Sequence, residues 1–221
     1  MDWIEFVTSM IVFLASHSVP LRPSVRQTLT RVLGERVFIL SYSVLSIGVL
    51  WWIIVAAGRA PYIELWEWQS WQSSVAITLM FFACQILAFS IARPNPFSFG
   101  GRKNETFEPS QPGIIRIIRH PILIALALWS IAHLIANGNL AHGILFGTFT
   151  IFSIAGVFII DRRKRLNMGS KWHQLYAETM QSPVLSAGWS DHSPVLRLSA
   201  GLILWMSLML LHPQFAGVHV L

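Results

Sequence analysis

The chain has 221 residues, of which 54% are hydrophobic and only 12% are charged, and its mean hydropathy is +0.57. Soluble domains carry about a quarter charged residues, so this composition excludes an ordinary soluble protein and indicates an integral membrane protein. The net charge of +6 does not indicate nucleic-acid binding, because Lys and Arg recur in blocks between apolar runs. A single cysteine, Cys84, excludes an intrachain disulfide and a paired-cysteine metal site.

Six apolar stretches, each close to the length of about 20 residues that crosses a bilayer, predict an all-α, polytopic bundle of about six transmembrane helices. In chain order the predicted spans cover about residues 3–18, 37–57, 73–92, 114–136, 140–160 and 196–211. The first span is the weakest, since Glu5 and Thr8 lie within it. The dipeptide at 137–138, Asn-Gly, predicts a tight turn between two antiparallel neighbouring helices.

Two of the connections between predicted spans are long and have a distinctive composition. Residues 94–112 are rich in Pro, Gly, Ser and Asn, and this composition predicts a flexible loop. Residues 161–181 predict an amphipathic cytoplasmic helix before the last span, with Trp172, Leu175 and Tyr176 on its apolar side.

The basic residues are distributed asymmetrically among the connections. Fifteen of the 16 Lys and Arg residues lie on one side, in the first, third and fifth connections or at the span ends that border them, and only Arg59 lies on the other side. The positive-inside rule assigns the basic side to the cytoplasm and places both termini on the outside. We therefore expect a multi-pass membrane protein with both termini outside the cytoplasm and with membrane lipid around it.

His133 is the most unusual ionisable residue, because it lies in the apolar run LWSIAHLIA with Trp129 one turn earlier on the same helix face. A buried imidazole needs a partner, which here is either a carbonyl or hydroxyl group or a metal. The chain has no H-E-x-x-H motif and no Glu-x-x-His pair, which argues against protease and di-iron sites. Isolated histidines on apolar helices suit haem b, which needs axial nitrogens and an apolar surround.

Three other histidines are candidates for function. His17 lies at the cytoplasmic end of the first span, and His120 precedes Pro121 at a break in the helical pattern. His142 follows the Asn-Gly turn at a depth close to that of His133. His120 and His133 are separated by about 20 Å along one helix, so they cannot bind the same iron. The remaining histidines are expected to be solvated. They are His173, His192, His212 and His219.

Short motifs distributed along the chain resemble those of the NnrU family of bacterial inner-membrane proteins, which also includes the 15-cis-zeta-carotene isomerases. The matching motifs are HSVPLRP at 17–23, LGERVF at 33–38, RHP at 119–121, WSIAH at 129–133 and DRR at 161–163. The resemblance extends to about residue 183. It divides the chain into an NnrU-like transmembrane domain at 1–183 and a linker with a final transmembrane helix at 184–221.

By depth alone, the predicted topology pairs His17 with His120, and His133 with His142, so His120 is kept as a reserve ligand. Trp129 is a further cofactor-binding candidate. The resemblance instead implies a bacterial inner-membrane protein with periplasmic termini that binds haem b with His17 and His133 as iron ligands. It further implies redox chemistry linked to nitrite and nitric oxide metabolism. A respiratory reductase or an electron donor is then the expected partner. The isomerase branch implies an alternative, a redox-gated isomerisation of a polyene lipid. Ser130 replaces a cysteine of that branch, and Phe152 replaces a histidine.

Two further hypotheses remain open at this point. The RHP motif followed by a span and an amphipathic segment also resembles isoprenylcysteine carboxyl methyltransferases, which bind S-adenosylmethionine through a Glu-Glu pair. The corresponding positions here are Asp161 and Arg162, so the second carboxylate is replaced by a cation. The other hypothesis is a non-enzymatic assembly or stability factor for a respiratory reductase.

Overall fold

A computed structural model describes residues 3–20, 22–101, 103–184 and 194–216, and the regular elements in these ranges are helices. The α-helices are α1 (Trp3–Ser18), α2 (Pro23–Leu33), α3 (Glu35–Arg59), α4 (Ser70–Ser90), α5 (Pro121–Ala136), α6 (Leu140–Met168), α7 (Ser170–Gln181) and α8 (Pro194–Ala216). Four of them, α3, α4, α6 and α8, are long and apolar enough to cross a membrane, and α1 and α5 are shorter apolar helices. The protein is therefore an all-α helical membrane protein, as its composition predicts.

The fourth apolar helix begins later than the sequence predicts. The expected span started near residue 114, but residues Gly113–Arg116 form a separate 3-10 turn and α5 starts only at Pro121. Proline lacks the N–H that a helix interior requires, and it biases the preceding residue away from helical angles. His120 accordingly has φ −117° and ψ 64°, outside the helical region.

The helical boundaries after the fifth span also differ from the prediction. The expected amphipathic helix at 161–181 is divided, because α6 continues to Met168 and α7 begins at Ser170. Gly169 lies between them at φ 57° and ψ −133°, a conformation that glycine adopts readily. The short helix α2, which starts at Pro23, has no counterpart in the predicted spans because it is only 11 residues long and contains Arg26 and Arg31.

Contacts divide the chain into two compact units, the first with residues 1–67 and 138–145 and the second with residues 68–137 and 146–221. In the first unit α1 packs against α3, and an ion pair of 3.6 Å joins Glu5 to Arg59. The loop after α3 is tied to the start of α6, since the Leu65 N–H donates to the Gly138 carbonyl at 2.6 Å. Gly138 is required there, because a Cβ atom would collide with the Trp66 carbonyl.

In the second unit α4 packs against both α5 and α8. The helices α5 and α6 are joined by a hydrogen bond of 2.9 Å from Thr150 Oγ1 to Ser130 Oγ. The indole N–H of Trp205 in α8 donates to the Ile77 carbonyl of α4 at 3.2 Å. The sequence prediction that α5 and α6 are neighbours joined by a short turn is thus confirmed.

The loop predicted to be flexible is packed against α7 instead. Phe97 is fully buried, and it contacts the ring of Trp172 edge-on at 5.9 Å between ring centres. Ile114 and Ile115 complete this small core, with Leu175 and Tyr176 at its edge. The apolar side predicted for the amphipathic helix is confirmed, and its partner is the loop before α5.

Candidate functional site

A buried polar cluster surrounds the start of α5. His120 is 3% exposed, and its Nδ1 lies 3.0 Å from the hydroxyl of Ser98, which is 1% exposed. The side-chain amide of Asn95 donates to the Arg119 carbonyl at 3.0 Å. Loop residues therefore hold both residues that precede Pro121, which fixes the point where α5 begins.

Asp161 of α6 is the acidic centre of this cluster. Its Oδ1 lies 2.8 Å from Arg119 Nε and 3.4 Å from His120 Nε2, and its Oδ2 lies 2.6 Å from Arg165 Nη2. The Arg119 Nε–H does not point at the oxygen well enough for a hydrogen bond, so that contact is an ion pair by distance alone. One carboxylate thus faces two guanidinium groups and one imidazole.

Aromatic rings of α7 cover the two arginines. The Arg165 guanidinium carbon lies 4.4 Å from the centre of the Trp172 ring, and that of Arg119 lies 5.1 Å from the centre of the Tyr176 ring. Both distances are within the range of cation–π attraction. These contacts attach α7 to the ends of α5 and α6.

The protonation of His120 follows from these surroundings. Burial lowers its pKa from the ordinary value of 6.5, and the positive charges of Arg119 and Lys164 act in the same direction, whereas Asp161 raises it. Both ring nitrogens have polar partners in this cluster, Ser98 and Asp161. This arrangement favours a role in holding the loop over a role as an iron ligand.

His133 lies in a different, aromatic environment in the last turn of α5. Its Nδ1 donates to the carbonyl of Trp129 at 2.8 Å, and the two rings are 5.1 Å apart between centres. The Phe146 ring lies 4.9 Å away, and Trp129 also stacks on Phe149 at 5.8 Å. The structure therefore brings together the two candidates His133 and Trp129, and it places His120 in the other cluster.

His212 is a neighbour of His133 that the sequence did not indicate. The prediction placed it in a solvated tail, but α8 continues to Ala216, and the two imidazole rings lie 6.3 Å apart between centres. Nothing in the spacing of these residues indicates the contact, because 78 residues separate them and only the packing of the second unit brings them close.

His17 belongs to the first unit, near the end of α1. Its Nδ1 lies 2.9 Å from the Phe13 carbonyl four residues earlier, and the two rings are stacked at 4.1 Å. The Tyr42 ring of α3 is 6.2 Å away. The imidazole of His17 is thus held by its own helix in the same way as that of His133. His142 also lies in the first unit, at the start of α6.

The family model described as NnrU protein matches residues 5–220. The chain belongs to the NnrU family. The match includes both compact units and continues past residue 183, so α8 lies within the region that the NnrU family shares. No curated protein and no solved structure matches the chain.

Four positions of this NnrU-family chain differ from the isomerases or the methyltransferases, and two of them, Ser130 and Asp161, make contacts within the fold. Ser130 is fully buried and donates to the Ala127 carbonyl at 3.0 Å while it accepts from Thr150, so it links α5 to α6. Phe152 is 40% exposed. Asp161 neutralises arginines of its own chain, and Arg162 beside it is exposed.

Proposed function

We propose that this NnrU-family protein is a haem b protein of the bacterial inner membrane that acts in redox chemistry linked to nitrite and nitric oxide. The observation that carries the proposal is the orientation of His133. Donation from Nδ1 to the Trp129 carbonyl selects the tautomer whose lone pair is on Nε2. Histidines that bind metals usually donate their other ring N–H to a carbonyl or carboxylate in this way, which fixes the ring and strengthens the ligand.

The surroundings of His133 suit a porphyrin. The ring lies among Trp129, Phe146 and other apolar residues of α5 and α6. An ionisable residue within an apolar helix is expensive in a membrane, and it is therefore a functional candidate by default. The porphyrin supplies the equatorial nitrogens itself, so one or two histidines complete its coordination without any carboxylate.

The proposed roles of the residues follow from this chemistry. A bound haem b would supply one-electron transfer, with a respiratory reductase or an electron donor as partner. His133 would bind the iron through Nε2, and the Trp129 carbonyl would fix the orientation of the imidazole ring. His17, which the family resemblance assigns as a ligand, shows the same donation to the carbonyl four residues earlier. His212 enters the test because its ring lies near that of His133.

The test is the visible spectrum of the full-length protein, purified in detergent from cells supplied with ample haem. We expect a Soret band and a reduced-minus-oxidised difference spectrum typical of haem b. The substitution His133→Ala should remove the low-spin signal, and the second ligand is whichever of His17→Ala and His212→Ala also removes it. The control is His173→Ala, since His173 lies on the exposed side of α7. Protein without a Soret band, or a His133→Ala spectrum identical to wild type, would contradict the proposal.

A further inference from the structure

A groove runs between the end of α4 and the start of α8, within the second unit. We name it the α4–α8 groove. It has a volume of about 340 Å³ and is lined by Ala88, Ile91, Leu196, Arg197, Ala200 and Leu204. The lining is apolar except for one guanidinium group. Because α4 and α8 are both long and apolar enough to cross a membrane, the surroundings expected for this groove are lipid.

Arg197 places a positive charge at the mouth of the groove. Its Nη1 donates to the carbonyls of Ala88 and Ile91 at 2.8 and 3.2 Å. Carbonyls at a helix C-terminus carry partial negative charge, so these bonds hold the side chain over the last turn of α4. A guanidinium has five N–H donors in a rigid fork. Within the described part of the chain Arg197 donates only from Nη1, which leaves Nε and Nη2 to recognise an anion.

A buried carboxamide lies deeper along the same seam. Gln85 is 9% exposed, and neither its Oε1 nor its Nε2 has a hydrogen-bond partner among the described residues. The carboxamide lies directly against Gly201 of α8, where an added Cβ would be 2.5 Å from Oε1 and 2.8 Å from Nε2. A buried amide without a partner is costly, above all in an apolar membrane interior, so a bound polar group would stabilise it.

The two polar features lie on the same helix faces. Gln85 and Ala88 are three residues apart on α4, and Arg197 and Gly201 are four residues apart on α8, which puts each pair on one face. Four residues advance a helix by about 6 Å. A cationic site at the mouth is thus followed, one helical turn deeper, by an amide donor, with Ala200 and Leu204 beside them.

We propose that the α4–α8 groove binds one anionic glycerophospholipid. Arg197 binds the phosphate, the Gln85 Nε2 donates to an ester carbonyl, and an acyl chain covers Ala200 and Leu204. A phospholipid presents these three chemistries in the same order from the surface inward. Basic pockets between membrane helices favour anionic headgroups, and this preference selects phosphatidylglycerol over a zwitterionic lipid. The proposal does not depend on haem binding.

The first test compares lipids on the full-length wild-type protein by native mass spectrometry in detergent. Four compounds are titrated: phosphatidylglycerol, phosphatidylcholine with the same acyl chains, ether-linked phosphatidylglycerol, and inorganic phosphate. We expect one phosphatidylglycerol to bind about tenfold more tightly than phosphatidylcholine, because the quaternary ammonium of choline cancels the phosphate charge and is repelled by the Arg197 guanidinium. The ether lipid, which lacks the carbonyl, should bind several-fold more weakly, and inorganic phosphate should not bind.

The second test uses variants. Arg197→Gln should abolish the preference for phosphatidylglycerol, whereas Arg163→Gln, which removes an exposed cation of α6, should keep it. Gln85→Leu should remove the difference between ester and ether lipids. If Arg197→Gln does not fold, the relative affinities of the wild-type protein for phosphatidylglycerol and phosphatidylcholine still test the proposal. Equal affinity for phosphatidylglycerol and phosphatidylcholine, which would mean adventitious lipid only, overturns the proposal, and equal affinity for ester and ether lipids overturns the assignment of Gln85.

Discussion

Asp161 shows how a single residue can organise the end of several helices. Its carboxylate contacts Arg119 before α5, His120 at the start of α5, and Arg165 one turn further along α6. A charge that is partly removed from water loses hydration free energy, and an opposite charge nearby offsets that loss. Removal of one partner therefore leaves the other charge uncompensated. The cluster is therefore expected to matter more for stability than an exposed ion pair does.

Replacement of this carboxylate tests that expectation. Asp161→Asn leaves two guanidinium groups facing a neutral amide, and we expect a loss of roughly 2 kcal/mol in the free energy of unfolding, below the full cost for a buried pair because Arg165 is half-exposed. Unfolding by SDS in mixed micelles measures the change. The matched control, Glu178→Gln, removes an exposed carboxylate of α7 and should change little. Equal effects of the two substitutions would show that the cluster does not stabilise the fold.

His120 makes stability depend on pH. Burial lowers the pKa of His120 in the folded protein below the ordinary value of 6.5. As the pH falls through about 6.5, the imidazole is therefore protonated in the unfolded chain while it stays neutral in the folded protein. The unfolded state then holds more protons, and the free energy of unfolding must fall as the pH drops below about 6.5 towards the folded pKa. Above that window the contribution of the neutral imidazole is fully present.

The variant His120→Gln should weaken this acid sensitivity. Its free energy of unfolding, measured by SDS titration between about pH 7.5 and pH 5.5, should fall less steeply than that of the wild type. His173→Gln, on the exposed side of α7, should keep the wild-type slope. A His120→Gln slope as steep as that of the wild type would mean that another group is responsible.

Among the helices, the α4–α8 pair depends on a close approach at one glycine. Gly201 faces the carboxamide of Gln85, and Trp205 one turn later donates to the Ile77 carbonyl of α4. Small residues at such positions let membrane helices approach and make van der Waals and hydrogen-bond contacts. The contact between α4 and α8 therefore favours a small residue at position 201, a requirement that the hydrophobic pattern of α8 does not indicate.

Gly201→Ala is expected to displace the carboxamide of Gln85. The new methyl group would be 2.5 Å from Gln85 Oε1, and because that atom ends a flexible side chain, the carboxamide should turn away at a cost of about 0.5–1.5 kcal/mol. Gly147→Ala is the matched control, because a Cβ there meets nothing within 4 Å in α6 and should be neutral. Unfolding in mixed micelles compares them.

The double variant Gln85→Ala/Gly201→Ala tests whether the loss of stability in Gly201→Ala comes from the contact with the Gln85 carboxamide. Removal of the carboxamide should recover much of the loss, so the two substitutions should be non-additive. An additive double variant, or equal stability of the Gly201→Ala and Gly147→Ala proteins, would contradict the close approach.

At the scale of the whole molecule, charge and hydrophobicity act together. The basic residues are concentrated in alternate connections, while apolar helices fill the chain between them. The positive-inside rule predicts an orientation from that alternation, and the Asp161 cluster is then expected on the cytoplasmic side. The family match from residue 5 to 220 includes the long apolar helices α3, α4, α6 and α8.

Single-cysteine labelling tests the orientation. In a Cys84→Ala background, Tyr62→Cys lies in the exposed second connection and Arg163→Cys lies beside the Asp161 cluster. A membrane-impermeant maleimide should label the Tyr62→Cys variant in cells whose outer membrane alone is opened, and the Arg163→Cys variant only after the inner membrane is disrupted. Labelling of both variants from the same side would reject the predicted topology.

The sequence by itself determined the helical membrane class, the approximate limits of the apolar helices, the turn between α5 and α6, and the family. These properties depend on local composition and spacing. About 20 apolar residues predict a membrane span, and a Pro or an Asn-Gly pair predicts a helix boundary or a turn, whatever the rest of the fold. Tertiary structure decided the contacts of His120 and His212, whereas His17 and His133 donate to carbonyls four residues earlier in their own helices. His120, which local sequence places before a proline, is buried against Asp161 from 41 residues later. His212, expected to be solvated, lies near His133 because α8 continues and packs within the second unit. A side chain's partners depend on contacts between helices distant in sequence, which no local pattern specifies.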